Sequence, residues 1–251
     1  LGDSKTPLYF LIFAAVLNII LDYLSIRFWG FGVDGPAYAT VISQLLSGLL
    51  CLFYMRKKFP ILHFQKGELR LEKHYYNRLL FIGVPMGLQY SITAIGSVVL
   101  QTAVNGLGAT PMAAITAGQR ISGFCCCVFD ALGATMATYA GQNSGAREYK
   151  RIDRGLWDAT KIGSIYAVLI CIVLILFGGG IPKIFIDGKE REVLAMTKQF
   201  LIANSLFYIP LVFVNNWRFT IQGMGFSGFA MLAGVSEMIA RSLVAFIFIP
   251  I

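Results

Sequence analysis

Apolar positions fill seven long blocks of this chain, roughly Pro7–Phe28, Pro36–Met55, Leu79–Val104, Met112–Tyr139, Ile162–Phe185, Ala195–Gln222 and Phe229–Ile251, with short polar breaks between them. A helix needs about 20 apolar residues to cross about 30 Å of hydrocarbon, and every block is that long. Strands of a membrane barrel would instead run about 10 residues with alternating polarity, and no block alternates. The pattern predicts an all-α fold, a polytopic transmembrane helical bundle.

Composition agrees with that class. Hydrophobic residues make up 57% and charged residues 14%, where a soluble domain carries about 25% charged residues. The net charge of +8 raises the question of nucleic acid, and the placement of the charge answers it. Seven of the 21 Lys and Arg fall between Arg56 and Arg78, and five more between Arg147 and Lys161. Basic residues in alternate loops mark the cytoplasmic side, so the charge reads as topology and no nucleic-acid partner is expected. The loops Gly30–Gly35, Gly106–Pro111 and Gly178–Glu192 are then external. Within Arg56–Arg78, charged residues alternate with Leu69, Leu71, Tyr75 and Leu79, which suits a helix lying on the membrane surface.

The chain opens with Leu1-Gly2-Asp3 and stops at Ile251 inside an apolar run, so it is expected to be part of a longer protein. A short internal echo links Leu1-Gly2-Asp3-Ser4 to Met224-Gly225-Phe226-Ser227, as in secondary transporters built from duplicated halves. Cys125, Cys126 and Cys127 point about 100° apart on a helix. They cannot share one metal, and they are expected to pack as small buried hydrophobes. Pro85 is placed in the first turns of its helix, whereas Pro210 falls mid-helix and should kink it.

Polar residues within spans face a bundle interior or a wet cavity. On the third block, Gln89, Thr93, Ser97, Gln101 and Asn105 recur every four residues. On the sixth, Asn204, Tyr208, Asn215 and Gln222 fall within an arc of about 40°. Both stripes are candidates for a substrate pathway, with interhelical hydrogen bonding as the plainer reading. On the fourth block, Gly123, Cys127, Ala131, Ala134 and Thr138 form a small-residue stripe expected to pack against another helix. Glu237 and Arg241 have the spacing and order of an ion pair within one helix. Asp22, toward the outer end of its helix, is placed to pair with Arg27 or to reach the interface, and Asp130 has no sequence neighbour to pair with. An intramembrane carboxylate can carry a proton or sodium ion, so Asp130, Glu237 and Arg241 are the candidates for ion coupling.

Other motifs lead nowhere. Gly223-x-Gly225-x-x-Gly228 has dinucleotide-loop spacing, but that loop needs a preceding strand; here it joins two membrane helices. No phosphate-binding loop with its Lys is present. His63 and His74 lie without Cys or acidic partners at zinc spacing, so no metal site is expected.

Several blocks together resemble the multidrug and toxic compound extrusion (MATE) transporters. They are Leu-Gly-Asp-Ser-Lys-Thr-Pro at 1–7, Leu17-Asn18-Ile19-Ile20-Leu21-Asp22, Gly32-Val33-Asp34-Gly35-Pro36-Ala37-Tyr38-Ala39-Thr40, Gly83-Val84-Pro85, and Gly141-Gln142-Asn143-Ser144-Gly145-Ala146. The resemblance implies a twelve-helix, two-lobe transporter of which this chain supplies helices five to eleven. Residues 1–55 would hold the last two helices of the N-terminal lobe, 56–78 a cytoplasmic linker, and 79–251 five helices of the C-terminal lobe. It further implies a multi-pass protein of the cell membrane, in a bacterium the inner membrane. The implied activity is a secondary antiporter exporting drugs or toxic organic compounds, cationic or amphiphilic, with no cofactor beyond a coupling proton or sodium ion. Some members of that family carry coupling carboxylates in helices seven and ten. The matching positions here fall near Thr93 and near Pro210 or Leu211, none of them acidic. The main coupling carboxylate is therefore expected outside this chain. An exporter of lipid-linked saccharides would need more cationic residues than Arg120, Arg218 and Arg241. An intramembrane enzyme would need acids clustered for metal chemistry, and here they are scattered.

Overall fold

A computed structural model describes residues 5–28, 30, 32, 34–60, 72–184 and 190–248, and among them all regular structure is helical. Eight α-helices follow in chain order: α1 (Lys5–Arg27), α2 (Asp34–Lys58), α3 (Lys73–Asn105), α4 (Ala109–Gly145), α5 (Tyr149–Phe177), α6 (Arg191–Leu206), α7 (Tyr208–Gly223) and α8 (Ser227–Phe248). Six are long and apolar enough to cross a membrane, and α6 with α7, bent by 52° at their break, passes the same test only as a pair. Much of their surface is bare aliphatic and aromatic side chain, with Phe53, Leu79, Phe81 and Phe124 each at least 70% exposed. Such a surface is stable against lipid tails and would be an aggregation liability in water. This is a multi-pass membrane protein.

The chain forms two compact units, Leu1–Leu71 and Glu72–Ile251. In the first, α1 and α2 pair antiparallel. Thr6 reaches Tyr54 (3.2 Å), Ser47 donates to the Phe10 carbonyl (3.0 Å), and Asn18 donates to Thr40 (3.3 Å), so partners run in opposite order along the two helices. Buried Ser25, Ala39, Ser43 and Ser47 let the backbones approach. Asp22 makes no ion pair with Arg27 here. Its Oδ1 is buried without a partner among the described residues, which corrects the expected pairing with Arg27.

In the second unit α3 lies along α8, and α4, the longest helix at 37 residues, packs against α5, α6 and α7. Ile121, Cys125 and Phe129 of α4 meet Ala167 and Leu174 of α5, Leu201 of α6, and Tyr208 and Val212 of α7 in one apolar core. The adjacent cysteines fare differently, as their angular spread demands: Cys125 is buried, Cys126 half-buried and Cys127 exposed.

Four expectations need correction. Helix α3 begins at Lys73, so Pro85 lies in its interior rather than its first turns. Tyr75 and Leu79 likewise belong to this long helix and not to a separate surface helix, while His63, Leu69 and Leu71 lie outside the described residues. The sixth block breaks at Phe207, not at Pro210 itself. Proline lacks the N–H that would bond four residues back, and its ring clashes with that carbonyl. The fault therefore falls beside Leu206, and Pro210 sits in the first turn of α7, where it is tolerated. The small-residue stripe on α4 is exposed along its length. The buried glycines of that helix are Gly118, packed under Phe200 of α6, and Gly133, packed under Phe219 of α7.

Candidate functional site

In the second unit α3, α4, α7 and α8 line a half-open cavity of about 870 Å³. Four polar groups of its wall come from three helices: Asp130 (α4), Asn215 and Arg218 (α7), and Glu237 (α8). Asn215 and Arg218 are three apart on α7 and so share a face. The Asn215 carboxamide, itself buried, donates from Nδ2 to Asp130 Oδ1 (3.1 Å) and accepts at Oδ1 from Arg218 Nη2 (2.7 Å). On its other side Arg218 faces Glu237 at 4.0 Å, Glu237 pairs with Arg241, and Arg241 donates to Ser97 Oγ on α3 (2.7 Å). One row of polar groups thus runs Asp130, Asn215, Arg218, Glu237, Arg241, Ser97 across four helices. The remaining wall is largely apolar, with Tyr90, Phe129, Phe207, Pro210, Leu211 and Val214.

The sequence candidates separate into three groups. Gln89, Thr93, Asp130, Asn215 and Glu237 line the cavity. Gln89 is also bound across α3 and α7, accepting from Gln222 Nε2 at 2.6 Å. Ser97 and Arg241 are not in the lining and are bonded to each other. Gln101 donates to Asn105 one turn along the same helix (3.0 Å), away from the cavity. Asn204 and Tyr208 belong to the core: Ser122 of α4 accepts from Asn204 Nδ2 (2.7 Å) and shares a hydrogen bond with the Tyr208 hydroxyl (2.9 Å). Tyr208 is 1% exposed and does not line the cavity, so a pathway role for it is not supported; its ring fills space between helices. The two stripes are each part cavity wall and part glue.

Among the described residues Asp130 has no ion-pair partner, and the neutral Asn215 carboxamide hydrogen-bonds one of its oxygens. Reading along the chain also missed Arg218, set aside as one of three scattered arginines, and Ser122, which joins α4 to both sides of the α6–α7 break. The Arg218 signal was present in its spacing from Asn215. For Ser122 no local signal exists, because both partners are more than 80 positions away.

Comparison with known proteins agrees with this architecture. The MatE family model matches residues 85–247. The probable multidrug resistance protein YpnP of Bacillus subtilis is 32% identical over 98% of this chain and 53% of its own length. The probable multidrug resistance protein YoeA of the same organism is 31% identical over 77% of this chain and 43% of its own. A FAD transporter of Shewanella oneidensis is 25% identical over 84% of this chain and 47% of its own. The chain therefore spans about half the length of the curated relatives it matches. Among solved structures, a MOP superfamily transporter from Pyrococcus furiosus superposes with a TM-score of 0.91 at 19% identity, covering 99% of this chain and 56% of that one. A MATE protein in the straight conformation gives 0.87 at 20% identity, covering 99% and 56%. A family match through α3 to α8, joined to a relative nearly a third identical from end to end of this chain, assigns the protein to the MatE family.

Proposed function

We propose that the whole protein is a secondary antiporter that exports drugs or toxic organic compounds, driven by inward flow of protons or sodium ions, and that the second unit supplies a substrate cavity. The observation that carries this reading is the cavity itself. It has the size of small-molecule sites, about 300–1,000 Å³, and its wall combines aromatic surface with two carboxylates and a guanidinium on spanning helices or the bent pair. Intramembrane charges are costly and mark pathways or relays. The relatives named as multidrug resistance proteins support export as the direction of transport.

Coupling needs a group whose proton or ion occupancy favours one conformation over another. Asp130 and Glu237 already hold partners in this lobe, so they take a secondary part, and the main coupling carboxylate belongs to the rest of the complete protein. Proteoliposomes carrying the full-length protein test both statements. An imposed proton or sodium gradient should drive uptake of an amphiphilic dye, and Asp130→Asn and Glu237→Gln should each retain part of it. Transport indifferent to both gradients would refute antiport. Loss of all gradient-driven transport in either variant, with dye binding intact, would place coupling in this lobe.

A further inference from the structure

The first turns of α5 carry an exposed face that takes no part in the cavity. At 100° per residue, Lys150, Arg154, Trp157 and Lys161 fall within an arc of about 60°, and all four are exposed. The buried residues of the same turns, Ile152, Leu156, Ala159 and Gly163 among them, lie on the opposite side of the helix. Asp158 pairs with Lys161 at 3.3 Å, and Asp153 stands at the edge of the stripe. Lys150 and Arg154 make no ion pair among the described residues. Three bases beside two acids leave this face net positive, with its two outermost bases unanswered.

Aromatic surface shared with α7 continues the stripe. Trp157 meets Phe213 edge-on at 6.5 Å and Trp217 at 6.4 Å. Phe213 and Trp217 are four residues apart and share a face of α7. The three rings remain between 37% and 47% exposed, so they are not core. Trp157 lies five residues before Ile162, where the apolar block of α5 begins. That is headgroup level, where tryptophans gather, and the basic residues between Arg147 and Lys161 put it on the cytoplasmic side. Along the axis Arg154 stands about 5 Å and Lys150 about 10 Å outside Trp157. Positive charge outermost and apolar rings further in match the order of phosphate, glycerol and acyl chain in a phospholipid.

We propose that this α5–α7 face holds an anionic phospholipid of the cytoplasmic leaflet, its phosphate on Lys150 and Arg154, its glycerol and upper acyl chains on Trp157, Phe213 and Trp217. Basic sites beside spanning helices on that side of a membrane suit acidic headgroups, and the Arg guanidinium offers a phosphate two parallel donors. A zwitterionic phospholipid brings its own cation and gains less from the pair of bases, which sets the preference. Lys161, already paired with Asp158, borders the contact without making it. A lipid seated there braces α5 against α7 at the membrane face, whatever the cavity carries.

The test places the full-length protein in phosphatidylcholine bilayers containing a minor share of dibrominated phosphatidylglycerol or, for comparison, dibrominated phosphatidylcholine. Bromine quenches tryptophan on contact, so fluorescence reports which lipid lies beside the rings. Tryptophans elsewhere in the complete protein contribute alike in wild type and variants, and the difference between the two lipids is what is read. Phosphatidylglycerol should be enriched beside the rings at least about fivefold over its bulk share, the attraction one basic residue adds near a membrane surface. Lys150→Gln and Arg154→Gln should each reduce the enrichment and together remove it. Arg151→Gln, off the stripe by about 60°, should keep it. Equal quenching by the two lipids in the wild-type protein overturns the proposal, however the variants fold. So does enrichment that survives the double substitution, or that Arg151→Gln removes as fully, which would mark diffuse attraction to the basic loop. Loss of the enrichment on adding soluble glycerol phosphate would assign the face to a small anion and overturn the lipid assignment.

Discussion

The three glycines at 223, 225 and 228 share one motif but face three physical situations, and alanine substitution should separate them. Gly223 ends α7 against α4. A Cβ there would fall on the Ala137 carbonyl oxygen and lie 2.8 Å from the Ala137 Cα. The obstacle is backbone and cannot rotate away, so Gly223→Ala must push α7 off α4, at a cost near the upper end of overpacking, about 3 kcal/mol. Gly225 has open space around it but a φ of +92°. An L-residue forced into a left-handed conformation costs about 1–2 kcal/mol. Gly228 lies in the first turn of α8 with nothing near its Cβ position. Alanine there should be neutral, or stabilising by up to about 1 kcal/mol through its better helix propensity. The expected order of stability is Gly228→Ala at or above wild type, then Gly225→Ala, then Gly223→Ala. Unfolding in mixed detergent micelles titrated with SDS measures it. Were Gly225→Ala to cost more than Gly223→Ala, or Gly228→Ala to cost as much as either, the described α7–α8 turn and the α4–α7 crossing would be wrong.

Two further predictions concern the core and the topology. Ser122→Ala strands both the Asn204 amide and the buried Tyr208 hydroxyl, and should cost about 2 kcal/mol; Tyr208→Phe removes one partner and leaves Ser122 bonded to Asn204, so about 0.6 kcal/mol is expected, and thermal melting in detergent that ranked them the other way would contradict the bonding scheme. The ends of α4 should lie on opposite sides of the membrane, with Leu107 external and Lys150 cytoplasmic. An impermeant maleimide added to intact cells should label Leu107→Cys and spare Lys150→Cys in a background cleared of native cysteines; the reverse pattern would invert the topology.

The spans were readable because hydrophobic length is a local property of the chain, and most of the described part of each of the seven blocks lies on a helix that passes as a span or on the bent pair. The bend at Phe207 was readable in kind but misplaced, because a proline acts on the carbonyl four residues before it. Which face of α4 packs was not readable. Gly123 and Gly133 look alike in sequence, and only the arrival of Phe219 from α7 makes Gly133 a contact and leaves Gly123 bare. The same limit governed the site. Asp130 seemed isolated because its hydrogen-bond partner, Asn215, lies 85 positions away. Arg218 seemed incidental because neither Asn215's orientation nor the approach of Glu237 is written in the local sequence.

Polar residues along one helix sort by whether their hydrogen-bonding capacity is used up. On α7, Tyr208 closes a complete set with Ser122 and Asn204, while about two and three turns onward Asn215 and Arg218 keep company with groups that retain capacity. The closed set lies directly behind the open one. Phe129 forms part of the cavity wall, and its ring meets Tyr208 edge-on at 5.5 Å and Tyr166 at 5.3 Å. Cys126, also in the wall, lies one turn from Ser122. Loosening the Ser122 bonds would therefore change the wall through Phe129 without altering any group that touches a ligand. Because Ser122 holds Asn204 before the break and Tyr208 after it, the same hydroxyl also sets how α6 meets α7. The cavity's shape in this lobe is thus tied to the bend in its broken span.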